Sequence, residues 1–250
     1  MHRFYLEPAC FSEEKVIWDA KDSRHICRVL RLEAGNQVTA FDGTGWEYEV
    51  LLESVQPEQV TGKILKKTAV DREVPVHLEL VQGVAKADKM DWIVQKAVEA
   101  GVSAVQPLLT RYTVVKLEKG KQEAKRRRWE SIAREACKQC RRNTVPLIHE
   151  VKDWENFLVS LDTERLYLLF YEDTKNGDSL KSILRREKKE IFSHGISILI
   201  GPEGGWSPEE VEAARSHGVY IDGLGPRILR TETAGLVAAA AILYEMDALE

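Results

Sequence analysis

Ile198-Leu199-Ile200-Gly201-Pro202-Glu203-Gly204-Gly205-Trp206-Ser207-Pro208-Glu209-Glu210 carries an apolar run into a glycine-rich turn and then into a helix start. The run begins at Ile196 and reads as a buried strand. Ser207 suits the N-cap, Pro208 the first helical position, and Glu210 completes a capping box. Gly201, Gly204 and Gly205 permit positive φ and let the backbone approach a ligand closely. Open α/β sheets bind ligands at turns of this kind, at the carboxyl ends of their strands. Taken alone, the stretch also reads as a tight strand-to-helix connection and nothing more. It is not a phosphate loop: no lysine follows the glycines, and Glu203 inside the turn would repel a phosphate.

Ile221-Asp222-Gly223-Leu224-Gly225-Pro226-Arg227-Ile228-Leu229-Arg230-Thr231-Glu232-Thr233-Ala234 repeats the design of strand, Gly-Pro turn and helix. Thr231 or Thr233 can cap that helix, and Glu232 favours the positive end of its dipole. The helix continues from Ala234 to Leu243 with small residues on several faces, which suits a tight core as well as a dimer interface. Arg227 and Arg230 stand among apolar and small residues. They are either solvated charges or cations aimed at a group that gains charge in a reaction. Leu166-Tyr167-Leu168-Leu169-Phe170-Tyr171-Glu172 leads into a third turn, and three such turns at the ends of three late strands can form one pocket.

Working outward, the chain before residue 70 is strand-like. Gln37 to Asp42 turns at Gly43-Thr44-Gly45 into a returning strand from Trp46 to Glu53, and Val60 to Thr68 follows. Asp71-Arg72-Glu73 and Pro75 read as a junction. Beyond it strands and helices alternate. Val76 to Gln82 is a strand, a helix capped by Asp88 ends at Gly101, and Val102 to Pro107 is a strand. A long basic helix runs from Lys119 to Arg142, and Pro146 to Val151 is another strand. This alternation predicts an α/β layer with a mostly parallel sheet over 75–250, joined to a small β-rich domain over 1–70.

Of 250 residues, 44% are hydrophobic and 30% charged, enough apolar material for a core and too much for wholesale disorder. No apolar run approaches the ~20 residues of a membrane span. Met1 to Glu7 lacks the apolar stretch of a signal peptide, so a soluble cytoplasmic protein with no membrane partner is expected. Four cysteines are too few for a disulfide scaffold, and the six histidines contain no H-x-x-x-H pair, so no metal is expected. Cys137-Lys138-Gln139-Cys140 has redox-motif spacing but lies in a predicted helix with no second pair, and Trp92 and Trp129 read as core anchors. A net charge of −4 argues against a generic polyanion binder. The charge is uneven, however: Lys116 to Arg142 holds 11 basic against 4 acidic residues. Arg24, Arg28 and Arg31 fall at i, i+4 and i+7, one face of a predicted helix whose Ile26 and Leu30 lie on another. Such a basic ridge suits phosphates.

Several motifs together resemble the ribosomal small-subunit methyltransferase E family, of the SPOUT class of S-adenosylmethionine-dependent RNA methyltransferases. They are Arg3-Phe4, His25 with Val29-Leu30-Arg31, Lys89-Met90-Asp91-Trp92 to Lys96-Ala97, and Arg134-Glu135-Ala136 with Gln139. Gly201-Pro202-Glu203-Gly204-Gly205 and Leu224-Gly225-Pro226-Arg227-Ile228-Leu229-Arg230-Thr231-Glu232-Thr233-Ala234 complete the set, which spans nearly the whole chain. The sequence departs from the family's pattern at Arg141, where glycine is usual, and at Trp206, where phenylalanine is commoner.

The resemblance implies an N-terminal PUA-like β-barrel, a C-terminal SPOUT domain with a deep trefoil knot, a homodimer, and methylation of N3 of one uridine in 16S ribosomal RNA, free or within the 30S subunit. It implies a donor pocket built from Phe170, Glu172, Leu199, Ile200, Gly201, Pro202, Gly204, Gly205, Leu224, Gly225, Pro226, Ile228, Leu229 and Thr231. Neutral uracil N3 carries a proton and is a poor nucleophile. Arg230 is therefore expected to stabilise charge on the ring oxygens, with Glu203 and Glu232 as candidate bases. The expected RNA-facing set is Arg3, Arg24, His25, Arg28, Arg31, Lys125, Arg126, Arg127, Arg128, Lys138, Arg141 and Arg142. The competing readings are a non-catalytic RNA-binding or ribosome-assembly factor, a SPOUT enzyme acting on another RNA, and, disfavoured by Glu203 and the missing lysine, an enzyme of a phosphate ligand.

Overall fold

A computed structural model describes residues 1–115, 117–172 and 179–249. Lys116, the first cation of the basic stretch, lies outside them. The chain divides into two compact units, one of Met1–Glu73 with Cys137–Val145, the other of Val74–Ala136 with the rest of the chain from Pro146. The short segment 137–145 is where this division departs from the 1–70 and 75–250 boundaries. Its ties explain why. Arg3 donates to Asn143 and to the Arg142 carbonyl, Arg142 pairs with Glu73, Arg72 donates to the Arg141 carbonyl, and Thr144 bridges Thr44.

The first unit is a five-stranded mixed sheet of β1 (Arg3–Tyr5), β2 (Lys15–Ile17), β3 (Gln37–Phe41), β4 (Trp46–Val55) and β5 (Val60–Ala69), in the order β1-β3-β4-β5-β2. The β1–β3 pair is parallel and the others antiparallel. Register shifts at Glu49/Val50 and Leu52/Ser54 bulge the long β4–β5 hairpin, and bulges sharpen twist, so the sheet curls as a half-barrel. Phe4, Val16, Trp18, Ile26, Val38, Val50 and Leu52 fill its interior. Asp19 caps α1 (Ala20–Arg24) by accepting the Asp22 amide at 2.7 Å. The chain then continues as a π-helical turn over His25–Val29, and Arg31 takes a φ of +52°. The expected α-helical face through Arg24, Arg28 and Arg31 is therefore corrected: the wide turn breaks the 3.6-residue spacing.

The second unit is built on a seven-stranded sheet of β6 (Leu78–Gly83), β7 (Ala104–Leu109), β8 (Leu147–Ile148), β9 (Lys152–Asp153), β10 (Leu166–Phe170), β11 (Ile196–Ile200) and β12 (Tyr220–Asp222). Its order is β12-β10-β11-β6-β7-β8, with β9 also on β7, and every pairing is parallel. β6, β10 and β11 are buried along their whole length, as central strands covered on both faces must be. Helices α2 (Ala87–Glu99), α3 (Lys119–Cys140), α4 (Trp154–Val159), α5 (Leu180–Arg186), α6 (Lys188–His194), α7 (Pro208–Ser216) and α8 (Thr231–Glu245) alternate with these strands along the chain. From β6 the chain builds outward through β7 on one side, while β11 lies on the other. Such a reversal opens a crevice at the carboxyl ends of the two strands.

Local signals gave way where tertiary bonds competed. α2 starts at Ala87 with Lys86 as N-cap, leaving Asp88 in the first turn rather than at the cap. The stretch from Pro146 to Val151 is a strand only over β8, which pairs with Ala104 and Val105, and β9 just beyond it pairs with Leu108 and Leu109. α8 is capped by neither Thr231 nor Thr233, because Arg230 occupies the N-cap and the Thr231 hydroxyl is spent elsewhere.

Candidate active site

The turn after β11 is held rigidly. The Gly205 amide donates to the Pro202 carbonyl at 3.0 Å, and Gly205 has a φ of +70°. Gly204 meets the chain after β7 so closely that a Cβ on it would stand 2.7 Å from Tyr112 Cβ. Below the turn, the Gly201 carbonyl accepts the Thr231 hydroxyl at 2.6 Å, and Gln82 Nε2 donates to Thr231 Oγ1 at 2.9 Å. Gln82 is fully buried and sits at the end of β6, so one amide ties together β6, the turn and the start of α8. Trp206 Nε1 donates to the Phe170 carbonyl at 3.2 Å, fixing the turn to the end of β10. The capping box forms as the sequence predicts: the Glu210 amide donates to Ser207 Oγ and the Ser207 amide to Glu210 Oε2.

The turn between β12 and α8 is open by comparison. Gly225 has a φ of +87°, and Ile228 leaves 85% of its surface exposed. Among the described residues, the amides of Leu224, Ile228 and Leu229 meet no hydrogen-bond acceptor.

The two turns and the end of β10 enclose two adjoining cavities of about 360 and 150 Å³. The larger is lined by Lys89, Phe170, Glu172, Ile200 to Trp206, Ile228 to Thr231, and Ala234; the smaller by Phe170 to Glu172, Leu224 to Leu229, and Ala234. Together they brought in every expected donor residue except Leu199. The Leu199 side chain is fully buried in the apolar core between β10 and β6, so any part it takes in the site falls to its backbone. Lys89, Trp206 and Ala234 were not among the expected site residues. Lys89 comes from α2, and nothing in the sequence near the turns announces it. Gln82 had one faint signal, a polar side chain at the end of an apolar strand.

Charge in the larger cavity is partly compensated. Lys89 Nζ lies 3.6 Å from both Glu203 Oε1 and Glu232 Oε2. Burial raises the Glu203 carboxyl. The Lys86 amide, its own backbone N–H and the Lys89 ammonium outweigh that and hold it below its ordinary value. A carboxylate stabilised this way is a weak base, so Glu203 serves better as an anchor for the turn than as a proton acceptor. Arg230 is exposed at the cavity wall and has no partner among the described residues. The combination suits S-adenosylmethionine: unspent backbone amides, apolar side chains beside charged ones, and a lysine, Lys89, engaged by Glu203 and Glu232 rather than offered to a phosphate.

The expected RNA-facing cations separate into groups. Arg24, His25, Arg28 and Arg31 are exposed on the first unit. On α3, Arg126 and Arg127 pair with Glu123, and Arg128 pairs with Asp91, all exposed contacts that phosphates can exchange for. Lys125 and Lys138 are half-buried, and Arg141 is exposed. Arg3 and Arg142 are corrected: Arg142 is 5% exposed on Glu73, and Arg3 is held by Glu47, Asn143 and the Phe41 ring. Their charges tie the first unit together and do not face solvent.

A family model of the RNA methyltransferase domain matches residues 72–243, and one of the RNA methyltransferase PUA domain matches residues 19–65. The ribosomal RNA small subunit methyltransferase E of Bacillus subtilis (strain 168) is 35% identical over 232 residues, 92% of this chain and 90% of that protein. The crystal structure of a ribosomal RNA small subunit methyltransferase E from Neisseria gonorrhoeae, bound to S-adenosyl methionine, is 33% identical with a TM-score of 0.87 and covers 97% of each chain. A Legionella pneumophila structure in complex with bound cofactor SAM is 30% identical with a TM-score of 0.83, covering 97% of this chain and 96% of that one. On this similarity along nearly its full length, the chain belongs to the ribosomal RNA small subunit methyltransferase E family, with an RNA methyltransferase domain preceded by a PUA domain.

Proposed function

We propose that this chain is an S-adenosylmethionine-dependent methyltransferase of small-subunit (16S) ribosomal RNA that methylates N3 of a uridine. One observation carries the reading: two cavities at the carboxyl ends of β10, β11 and β12 adjoin between a pinned turn and an open turn, beside Arg230, and neither that turn's Leu224, Ile228 and Leu229 amides nor the Arg230 guanidinium has a partner among the described residues. S-adenosylmethionine supplies a methyl carbon already activated by its sulfonium. The protein's task is then to align N3 with the carbon–sulphur bond and to accommodate the charge that develops on the uracil oxygens. Arg230 takes that charge, its guanidinium fork suiting two acceptor oxygens. Glu232 remains the better of the two candidate bases, because its Oε2 is buried without a hydrogen bond while Glu203 is committed to the Lys86 amide.

The partner and assembly belong to the same proposal. The exposed cations Arg24, His25, Arg28 and Arg31, with the exchangeable pairs of α3, are assigned to RNA phosphates of the free rRNA or the 30S subunit, and affinity falls steeply with salt. Val237, Ala240 and Tyr244 stay exposed on α8 while Gly235, Ala238, Ala239, Ile242 and Leu243 are buried, leaving an apolar helix face to be covered by a second copy. No helix among the described residues is long and apolar enough to cross a membrane, and we assign the protein to the cytoplasm with its substrate. A trefoil knot is assigned to the crossing of the two turns, supported by the Thr231 bond to Gly201. Pulled from both ends, a knotted chain stops short of its contour length; full extension would remove the knot.

Mass spectrometry of ribosomal RNA from a strain lacking the protein tests the function. Loss of one 3-methyluridine from 16S rRNA is expected. An unchanged 16S profile, or a methyl group lost from a different RNA, contradicts the reading.

A further inference from the structure

Phe170, Glu172, Ile228, Leu229 and Ala234 line both cavities. Four of these shared residues are apolar, and Glu172 alone brings a charge. The other carboxylate in the lining, Glu203, is compensated by the Lys86 amide and Lys89. Glu172 has neither a cation nor a hydrogen-bond donor among the described residues. Its two oxygens lie over Gly205, where a Cβ would stand 3.6 and 3.7 Å from them. A carboxylate at the seam of the two cavities has no structural partner among the described residues to explain it.

We propose that Glu172, the carboxylate common to both cavity walls, is the counter-charge to the donor's sulfonium and makes the site prefer the charged donor to its neutral product. This rests on the methyl-donor reading above. The adenosyl and amino-acid arms of the donor meet at sulphur, so a molecule with one arm in each cavity puts its sulphur where the walls are shared. Methyl transfer breaks the S–CH3 bond, leaves its electron pair on sulphur, and forms an N3–CH3 bond while the N3 proton passes to the base, Glu232 in the reading above. The sulphur that began as a cation ends as a neutral thioether. Attraction to Glu172 is lost in the same event, which favours product release.

Calorimetric titration of the full chain with S-adenosylmethionine and with S-adenosylhomocysteine separates the possibilities. Glu172→Gln is expected to weaken the donor about fivefold, the upper range for one exposed charge pair, and to leave the product within about twofold. An analogue carrying an ammonium on carbon in place of the sulfonium is expected to follow the donor. Retained product binding doubles as the check that the variant is folded. Equal weakening of donor and product overturns the inference, because it assigns the carboxylate to a group the two molecules share. No change in either also overturns it, while the donor reading survives both results. A wild-type chain that binds neither molecule overturns the donor reading and this inference with it.

Discussion

The Gly201 carbonyl accepts the Thr231 hydroxyl, and a Cβ on Gly204 would strike Tyr112, whereas Gly225 has nothing within 4 Å of its Cβ position. Glu203 in the first turn is bound by the Lys86 amide, while the amides of Leu224, Ile228 and Leu229 in the second find no acceptor among the described residues. Both turns follow parallel strands and precede helices, so secondary structure does not set them apart. The difference lies in where their polar groups go. The turn after β11 spends the Gly205 amide, the Gly201 carbonyl, the Glu203 carboxylate and the Trp206 indole on the fold and forms a finished floor. The turn after β12 keeps them available, so its order is completed by what it binds.

The largest expected effect breaks the open side. Arg230→Ala is expected to lower the methylation rate at saturating donor and RNA by about 10²–10³-fold, the range for loss of one charge-stabilising donor. An unchanged melting temperature is expected alongside, because Arg230 is exposed and unpartnered among the described residues. Full activity in that variant removes Arg230 from the chemistry.

The two glycines sharpen the contrast. Gly204→Ala forces a backbone shift against Tyr112, and is expected to cost about 2–3 kcal/mol by overpacking. Gly225→Ala meets open space and is expected to cost about 1 kcal/mol, for its positive φ alone. Thermal melts of the pair check the order; equal losses would mean that the first turn is no tighter than the second.

A smaller effect is read through pH. Because the folded Glu203 carboxyl titrates below its ordinary value of 4.5, its contribution to stability is complete above that value and is lost as pH falls through the lowered one. Glu203→Gln lacks the contribution at every pH. The stability gap between wild type and variant is therefore expected to be widest near neutrality and to narrow as pH drops below about 4.5. A gap independent of pH contradicts the pinning of the turn through Glu203.

The smallest test concerns conformation without crowding, as at Gly225. Arg141 has a φ of +67° just past the end of α3, the left-handed position where the family's pattern carries glycine. Arg141→Gly is expected to stabilise by about 0.5–1 kcal/mol, raising the melting temperature by roughly 2–4 °C. A lower melting temperature would mean that the arginine side chain makes up for its backbone strain.

Ile196 to Ile200 was legible as a strand because its apolar run needs no distant partner to be recognised, and Ser207 with Glu210 because a capping box is local. The two glycine turns were legible for the same reason. Gln82 and Lys89 were not, since their value at the site comes from residues more than 100 positions away. Thr231 misled as a cap because Gly201 competes for its hydroxyl. Arg3 and Arg142 misled as RNA-facing charges because their partners are set by the fold, and a sequence counts charge without showing where it is neutralised. The wide turn at His25–Val29 leaves no mark in the sequence, because basic residues at i, i+4 and i+7 fit an α-helix as well as a chain that widens into a π-turn.

The most direct measurement is hydrogen exchange of the backbone amides with and without S-adenosylmethionine. The Gly205 amide is expected to exchange slowly in both states, and the amides of Leu224, Ile228 and Leu229 to exchange fast alone and slowly with the donor. Exchange at 223–231 that ignores the donor, or protection that arises away from both turns, would contradict a pocket closed between a finished floor and an unfinished wall.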